Sequence, residues 1–368
     1  MSSAENPAPD THPGADPDSQ ERPVKRPRED LDQTVSNADE AMSGVTRSPE
    51  LWIPDGNIVL IADKKVAFRV HGGVLARHSS VFSDAFGLPQ PENGDTYDGC
   101  PVLHIPDQPI DVDCLLQALY DGIRFKALKP RVLAAFGPLA SLLSLGHKYD
   151  IEHLREEAHM RIKTCFPHQF SEFRSAVVFF YQPGSGYVVR SSTLEVHASR
   201  DAIRAVNLAR LVDDCRMLPM ALYLCAQLPV SSLLEGTTSC DSENNCRDTL
   251  SRADLVRCLE ARSILSERAY RKTARVWRSL SGSCHNPSQC QAIRMGRADA
   301  AIMSRVADTS PNPLSSAAGT IGLPVSRLCE PCARVFADRE VTEMRWIWER
   351  LPGDLKVEVP GWDSTVPN

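Results

Sequence analysis

Apolar positions along the chain change period several times, and each change marks an element. Asn57 to Ala62 is a short apolar, β-branched run, Asp63-Lys64-Lys65 is a polar break, and Val66 to Val70 is a second run. Two such runs joined by a tight polar connection predict a hairpin. Leu75, Phe82 and Phe86 then recur at near-helical spacing, interrupted by His78-Ser79-Ser80, which predicts two short helices with a Ser-capped corner. Val102 to Ile105 lies between Pro101 and Pro106 as a third strand. A helix capped by Asp111 follows, with Val112, Leu115 and Leu119 inward and Gly122 as its stop. Two further stripes contain Val132, Phe136, Leu139 and Leu143, then Ile151, Leu154, Ala158, Ile162 and Cys165.

Beyond Phe166-Pro167 the pattern turns polar. Gly184, Gly186 and Ser191-Ser192 predict a hinge. Helical spacing resumes near Ala198 with Ile203, Val206, Leu208, Leu211 and Val212. Pro219 and Pro229 bracket an apolar helix from Met220 to Leu228. A long helix is predicted from Ala253 to Leu280, with Tyr270, Ala274 and Trp277 on one face.

Composition changes this picture mainly at the start. Residues 1–50 hold 5 Lys/Arg against 11 Asp/Glu, so the whole net charge of −6 sits there. With seven prolines and no aromatic residue, the stretch cannot offset its ordering entropy, and residues 1–48 are expected to be disordered. Lys25, Arg26 and Arg28 within it form either a nuclear import signal or a solvated charge run. No stretch has the length and apolarity of a membrane helix, and no secretory signal opens the chain. The protein is therefore expected inside the cell, in nucleus or cytoplasm, where its 12 cysteines stay reduced.

In that compartment, cysteine spacing is the feature that can carry metal chemistry. Cys284 and Cys290 flank a turn-rich loop, and Cys329-Glu330-Pro331-Cys332 is a CxxC. Four loop thiolates can close a tetrahedral structural zinc site. The C-x5-C half is looser than usual, so four ordinary thiols and a redox CxxC stand as alternatives, with Cys240 and Cys246 as a rival first pair. Cys165, Cys215, Cys225 and Cys258 are expected in helices as core residues. No Walker loop, dinucleotide glycine fingerprint, HExxH or GxSxG is present, so neither a catalytic site nor a small-molecule substrate is expected. Residues 247–305 carry 12 Lys/Arg against 5 Asp/Glu. They are read either as a solvated helix face with pairs such as Glu267 and Arg271, or as a nucleic-acid-facing surface of a nuclear transcriptional regulator.

Phe68-Arg69-Val70-His71, Leu75 to Phe82 and Leu116 to Gly122 resemble the signature of BTB/POZ domains over about residues 50–166. The resemblance implies a small sheet on a helical cluster at residues 49–166, and a role in dimerisation or adaptor docking. It makes Val70, His71, Leu75, Ser79, Phe82, Leu119 and Tyr120 structural core residues, with His71 buried and no Ser, Cys or Asp motif beside it. Two departures bear on partners. Leu51 to Pro54 is all that is available for the exchanged N-terminal strand of many family dimers. Gln90 stands where adaptors of cullin ubiquitin ligases often carry Glu. Residues 167–362 resemble the helical region that follows the BTB domain in a large fungal subgroup, through Ala202 to Ala209, Leu218 to Tyr223, Ala253 to Leu259 and Trp348 to Pro352. The expected class is α+β, a BTB/POZ domain followed by a mostly helical domain with a short tail at 363–368.

Overall fold

The computed structural model describes residues 44–88, 94–183, 186–238, 247–296, 312–316 and 327–363. Lys25, Arg26, Arg28, Gln90, Cys240 and Cys246 lie outside these residues.

The first sheet has five strands. β1 (Thr46–Trp52), β2 (Ile58–Ala62), β3 (Val66–Val70), β4 (Thr96–Tyr97) and β5 (Cys100–Ile105) are ordered β1-β3-β2-β5-β4. β2 is buried throughout because both of its neighbours are strands and helices cover the sheet. β2 and β3 form the predicted antiparallel hairpin, turning through Asp63 and Lys64 at positive φ. The return from β3 to β5, parallel to β2, passes through α1 (Gly72–His78) and α2 (Ser80–Gly87). Ser79 caps α2 as its spacing predicts, accepting from the Phe82 amide at 3.0 Å.

Helices α3 (Pro109–Asp121), α4 (Phe136–Lys148) and α5 (Glu152–Lys163) complete the cluster. α3 stops at Gly122, whose φ is 54°. Gly146 lets α4 and α5 touch, since a Cβ there would lie 3.1 Å from the Arg155 amide nitrogen. Asp111 is not the cap of α3. Pro109, which has no amide hydrogen to leave unpaired, starts the helix two residues earlier, and Asp111 turns to Ser141 and Arg204 instead.

Strand β1 begins at Thr46, inside the stretch expected to be disordered and upstream of Leu51 to Pro54. It pairs parallel with β3 of its own chain. Its register shifts between Arg47 and Trp52, where Pro49 has no amide to give, and Leu51 buries its side chain.

The polar stretch after Pro167 is not a plain hinge. Short α6 (Phe170–Ala176) leads into β7 (Val178–Gln182), β8 (Gly186–Arg190) and β9 (Leu194–His197). With β6 (Ala134–Ala135) these make a second sheet, ordered β6-β9-β8-β7. Because β6 comes from before Phe166, this sheet joins the two halves of the chain. α7 (Ala198–Leu211) and the wholly buried α8 (Leu218–Ala226) follow, then α9 (Val230–Glu235) and a two-stranded ribbon of Thr237–Thr238 with Arg247–Asp248. The long helices α10 (Arg252–Val276) and α11 (Glu330–Asp354) pack together and against α8.

One apolar core runs from Leu51 to Leu355, and the chain from Val45 onward is a single compact unit. Polar contacts reinforce the joint. Arg204 on α7 donates to Asp111 Oδ1 at 2.8 Å and to Ser141 at 3.4 Å. Asp214 accepts from His159 at 2.8 Å and from the Arg216 and Met217 amides.

Several details depart from the helical pattern. α10 buries Cys258, Ala261, Leu265, Lys272 and Val276, while Tyr270 is 43% exposed and Trp277 lies just past the helix end. Among the described residues no ion pair joins Glu267 to Arg271; Arg271 stacks over Trp346 at 4.5 Å. Cys225 and Cys258 are buried in helices, but Cys165 is buried in the turn after α5 and Cys215 sits half-buried in a turn. The final segment packs: Trp362 stacks on Trp348 at 5.0 Å and donates to its carbonyl. Asp363, expected in the tail, accepts from the Phe170 amide at 2.7 Å. No described helix is long and apolar enough to cross a membrane.

Candidate metal centre

Cys284, Cys290, Cys329 and Cys332 meet at one end of the two long helices, with all four sulfurs within 4.8 Å of one another. The local sequence explains the meeting. α10 ends at Val276, and a Ser-Gly-Ser turn carries the chain to Cys284. Asn286 then starts the helical turns over 287–296. Its side chain accepts from the Gln289 amide and donates to the Gln289 side chain, with Pro287 in the first turn. Cys290 follows one turn later and is fully buried. Across from it, Cys329 is the N-cap of α11, and Pro331 and Cys332 fall in its first turn. CxxC therefore straddles a helix start, which aims both sulfurs to one side.

The sulfurs are held by backbone amides. The Cys329 amide donates to Cys290 Sγ at 3.4 Å and the Ser281 amide to Cys332 Sγ at 3.4 Å. Burial pushes the Cys329 thiol up, but the Cys332 and His285 amides outweigh it and bring it down to about 6. Burial raises Cys284, Cys290 and Cys332. Cys284 and Cys329 sulfurs stand 3.7 Å apart. Zinc–sulfur bonds of about 2.3 Å in a tetrahedron require sulfur pairs about 3.8 Å apart. The donor set thus fits a four-thiolate ion site with amide donors behind it. Around it Val276, Trp277, Leu328 and Phe336 form a small core separate from the main one, with Trp277 and Phe336 at 4.3 Å.

The other expected site residues lie in the first half. Val70, Leu75, Ser79 and Phe82 are buried, and Leu119 and Tyr120 are half-buried. His71 is half-buried and does have a carboxylate neighbour. Asp55 Oδ1 lies 3.4 Å from Nε2, brought there by the β2–β3 hairpin from 16 positions upstream. Its Nδ1 meets the Tyr120 hydroxyl at 3.0 Å, and that hydroxyl accepts from the His71 amide at 2.8 Å. The group pins α3 to the end of β3.

A curled five-stranded sheet under a helical cluster, continued by a helical region, defines an α+β protein built around a small interaction-type domain. Residues 56–165 match the BTB/POZ domain, so this segment is a BTB/POZ domain, a module of protein–protein interaction. No curated protein matches the chain.

Proposed function

We propose that this protein is a non-enzymatic interaction scaffold. Its BTB/POZ domain self-associates or docks an adaptor partner, and its helical region, of the type that follows the domain in fungal relatives, selects the partner. The observation that carries this reading is the BTB/POZ domain at residues 56–165. Exposed apolar side chains on that domain, Val81 and Leu88 among them, supply surface for association. Zinc held by Cys284, Cys290, Cys329 and Cys332 braces the helical region. Four protein ligands leave no open position for water or substrate, so the ion's role is structural.

A protein partner is favoured over nucleic acid because much of the basic charge of α10 is already engaged. Arg257 pairs with Asp254, Arg268 with Asp354 and Arg275 with Glu343, and Lys272 is buried. Sedimentation of the full chain tests self-association: a mass of two chains is expected, falling to one on Val81→Asp with Leu88→Asp. A single-chain mass at high concentration would remove self-association from the reading.

A further inference from the structure

Five residues, Asn312 to Ser316, sit in a groove between α8, α10 and α11, with the chain on either side of them outside the described residues. The groove grips this short stretch as a ligand is gripped. Leu314 is 1% exposed and belongs to the main core. The Tyr223 hydroxyl donates to Asn312 Oδ1 and accepts from the Leu314 amide at 3.1 Å. Asn312 Oδ1 also accepts from the Ser315 amide at 3.0 Å, which sets the turn that the tyrosine reads. Lys272 Nζ donates to the Ser315 carbonyl, and the Ser316 hydroxyl donates to Glu340 at 3.1 Å.

Tyr223 is fully buried and Lys272 is 3% exposed. A buried ammonium is costly, and burial lowers it to about 8 against the pull of Glu340. A groove built only to complete a core would be cheaper with an apolar side chain there. The lysine makes sense as a donor aimed at a peptide carbonyl. Among the described residues no partner reaches the buried side-chain nitrogen of Asn312.

We propose that this groove is a recognition site for a linear segment of a partner protein, an uncharged turn of Asn-Pro-Leu type followed by a hydroxyl residue, which the chain's own Asn312–Ser316 occupies in its absence. Tethering gives the internal segment a high effective concentration, so a partner enters only by competition or when the internal segment is withdrawn. The inference stands whether or not the four cysteines hold zinc.

The test uses the full chain with Leu314→Asp, which removes the internal anchor, and a fluorescein-labelled peptide of residues 308–319 as probe. The variant is expected to stay folded and to bind the probe at least about tenfold tighter than the native chain. Adding Lys272→Met should weaken that binding about tenfold, the order expected for a charge-assisted hydrogen bond. A folded variant that does not bind, or a native chain that binds equally well, overturns the proposal. If Leu314→Asp does not fold, Leu314→Ala replaces it; failure of both makes the segment an obligatory part of the core and also overturns it. Native dimers that dissociate on adding the probe would put a second copy's segment in the groove, and overturn the assignment to a different partner.

Discussion

Replacing Arg204 by Met tests whether the BTB/POZ domain and the helical region unfold as one. The guanidinium and the Asp111 carboxylate are 14% and 18% exposed and meet at 2.8 Å, so the pair is mostly out of water. Asp111 contributes from α3 and Arg204 from α7, on opposite sides of the Phe166 boundary. Burial pulls the Arg204 pKa down, but Asp111 outweighs it and leaves it raised. Methionine keeps most of the side-chain volume and removes the cation, leaving Asp111 with the Ser141 hydroxyl alone from this network. Removing one partner of a fully buried pair costs about 3–5 kcal/mol, and the residual exposure here reduces that to about 2–3 kcal/mol. For a unit of roughly 320 residues the unfolding entropy is about 0.7 kcal/mol/K, so the midpoint should fall by about 3–4 °C. Calorimetry should show one transition in both proteins, shifted as a whole. Asp111→Asn added to Arg204→Met should recover at least about half of the loss, because no carboxylate then remains unpaired. Two transitions, with only one moving, would refute the single-unit account. Strict additivity in the double variant would refute the pairing.

The metal centre should hold close to one zinc per chain, and chelation should lower the melting temperature. Closing the loop of about 40 residues between Cys290 and Cys329 is worth up to about 4 kcal/mol, and metal-free protein that melts unchanged would leave four ordinary thiols. Phe82→Ala should cost roughly 3–5 kcal/mol in urea unfolding, since the ring is 2% exposed and stacks on Tyr149 at 4.5 Å; a loss below about 1 kcal/mol would contradict that packing. Burial raises the Asp214 carboxyl, but the His159 hydrogen bond, Lys163 and the Met217 amide hold it well below the usual carboxylate range. Its stabilisation is therefore present above about pH 4 and lost as pH falls below that, so Asp214→Asn should flatten the acid limb of a melting-temperature profile. An unchanged limb would count against the contact.

The strands that follow Phe166 carried a readable signal that the glycines obscured. Val178-Phe179-Phe180-Tyr181 and Tyr187-Val188-Val189 are aromatic and β-branched runs on either side of Pro183-Gly184-Ser185-Gly186. That is the pattern of a hairpin, as for Ile58–Ala62 with Val66–Val70. Gly186 opens the second strand, opposite Gln182. What no local pattern contained was β6: two alanines, paired with Leu194 and Glu195 some 60 positions later, have no period of their own. The same limit explains α10. A helix of 25 residues has several apolar spacings, and its buried face is chosen by what packs on it. Cys258, Ala261 and Leu265 are buried in the main core, whereas Tyr270 is 43% exposed.

The two sites of the helical region differ in legibility for a chemical reason. Cysteine is rare and its ligand spacing is short-range, so CxxC announces half of a site on its own, and a second pair in a loop suffices to complete it. The meeting at 3.7 Å then depends on where α10 ends and α11 begins; apolar spacing carried the first helix to Leu280, four residues past its end at Val276, and did not locate the start of the second. His71 shows the converse. Its Asp55 neighbour comes from an ordinary acidic residue in a turn, and only the hairpin register brings the two within 3.4 Å. The groove around Leu314 is harder still. Tyr223, Lys272 and Glu340 are common residues on three separate helices, and the segment they hold has no periodicity. A lysine on a helix reads as solvent-facing from sequence, because burying it is unfavourable unless something supplies an acceptor. Here the acceptor is a carbonyl 43 positions downstream, so the lysine's purpose is legible only once Ser315 is in place beside it.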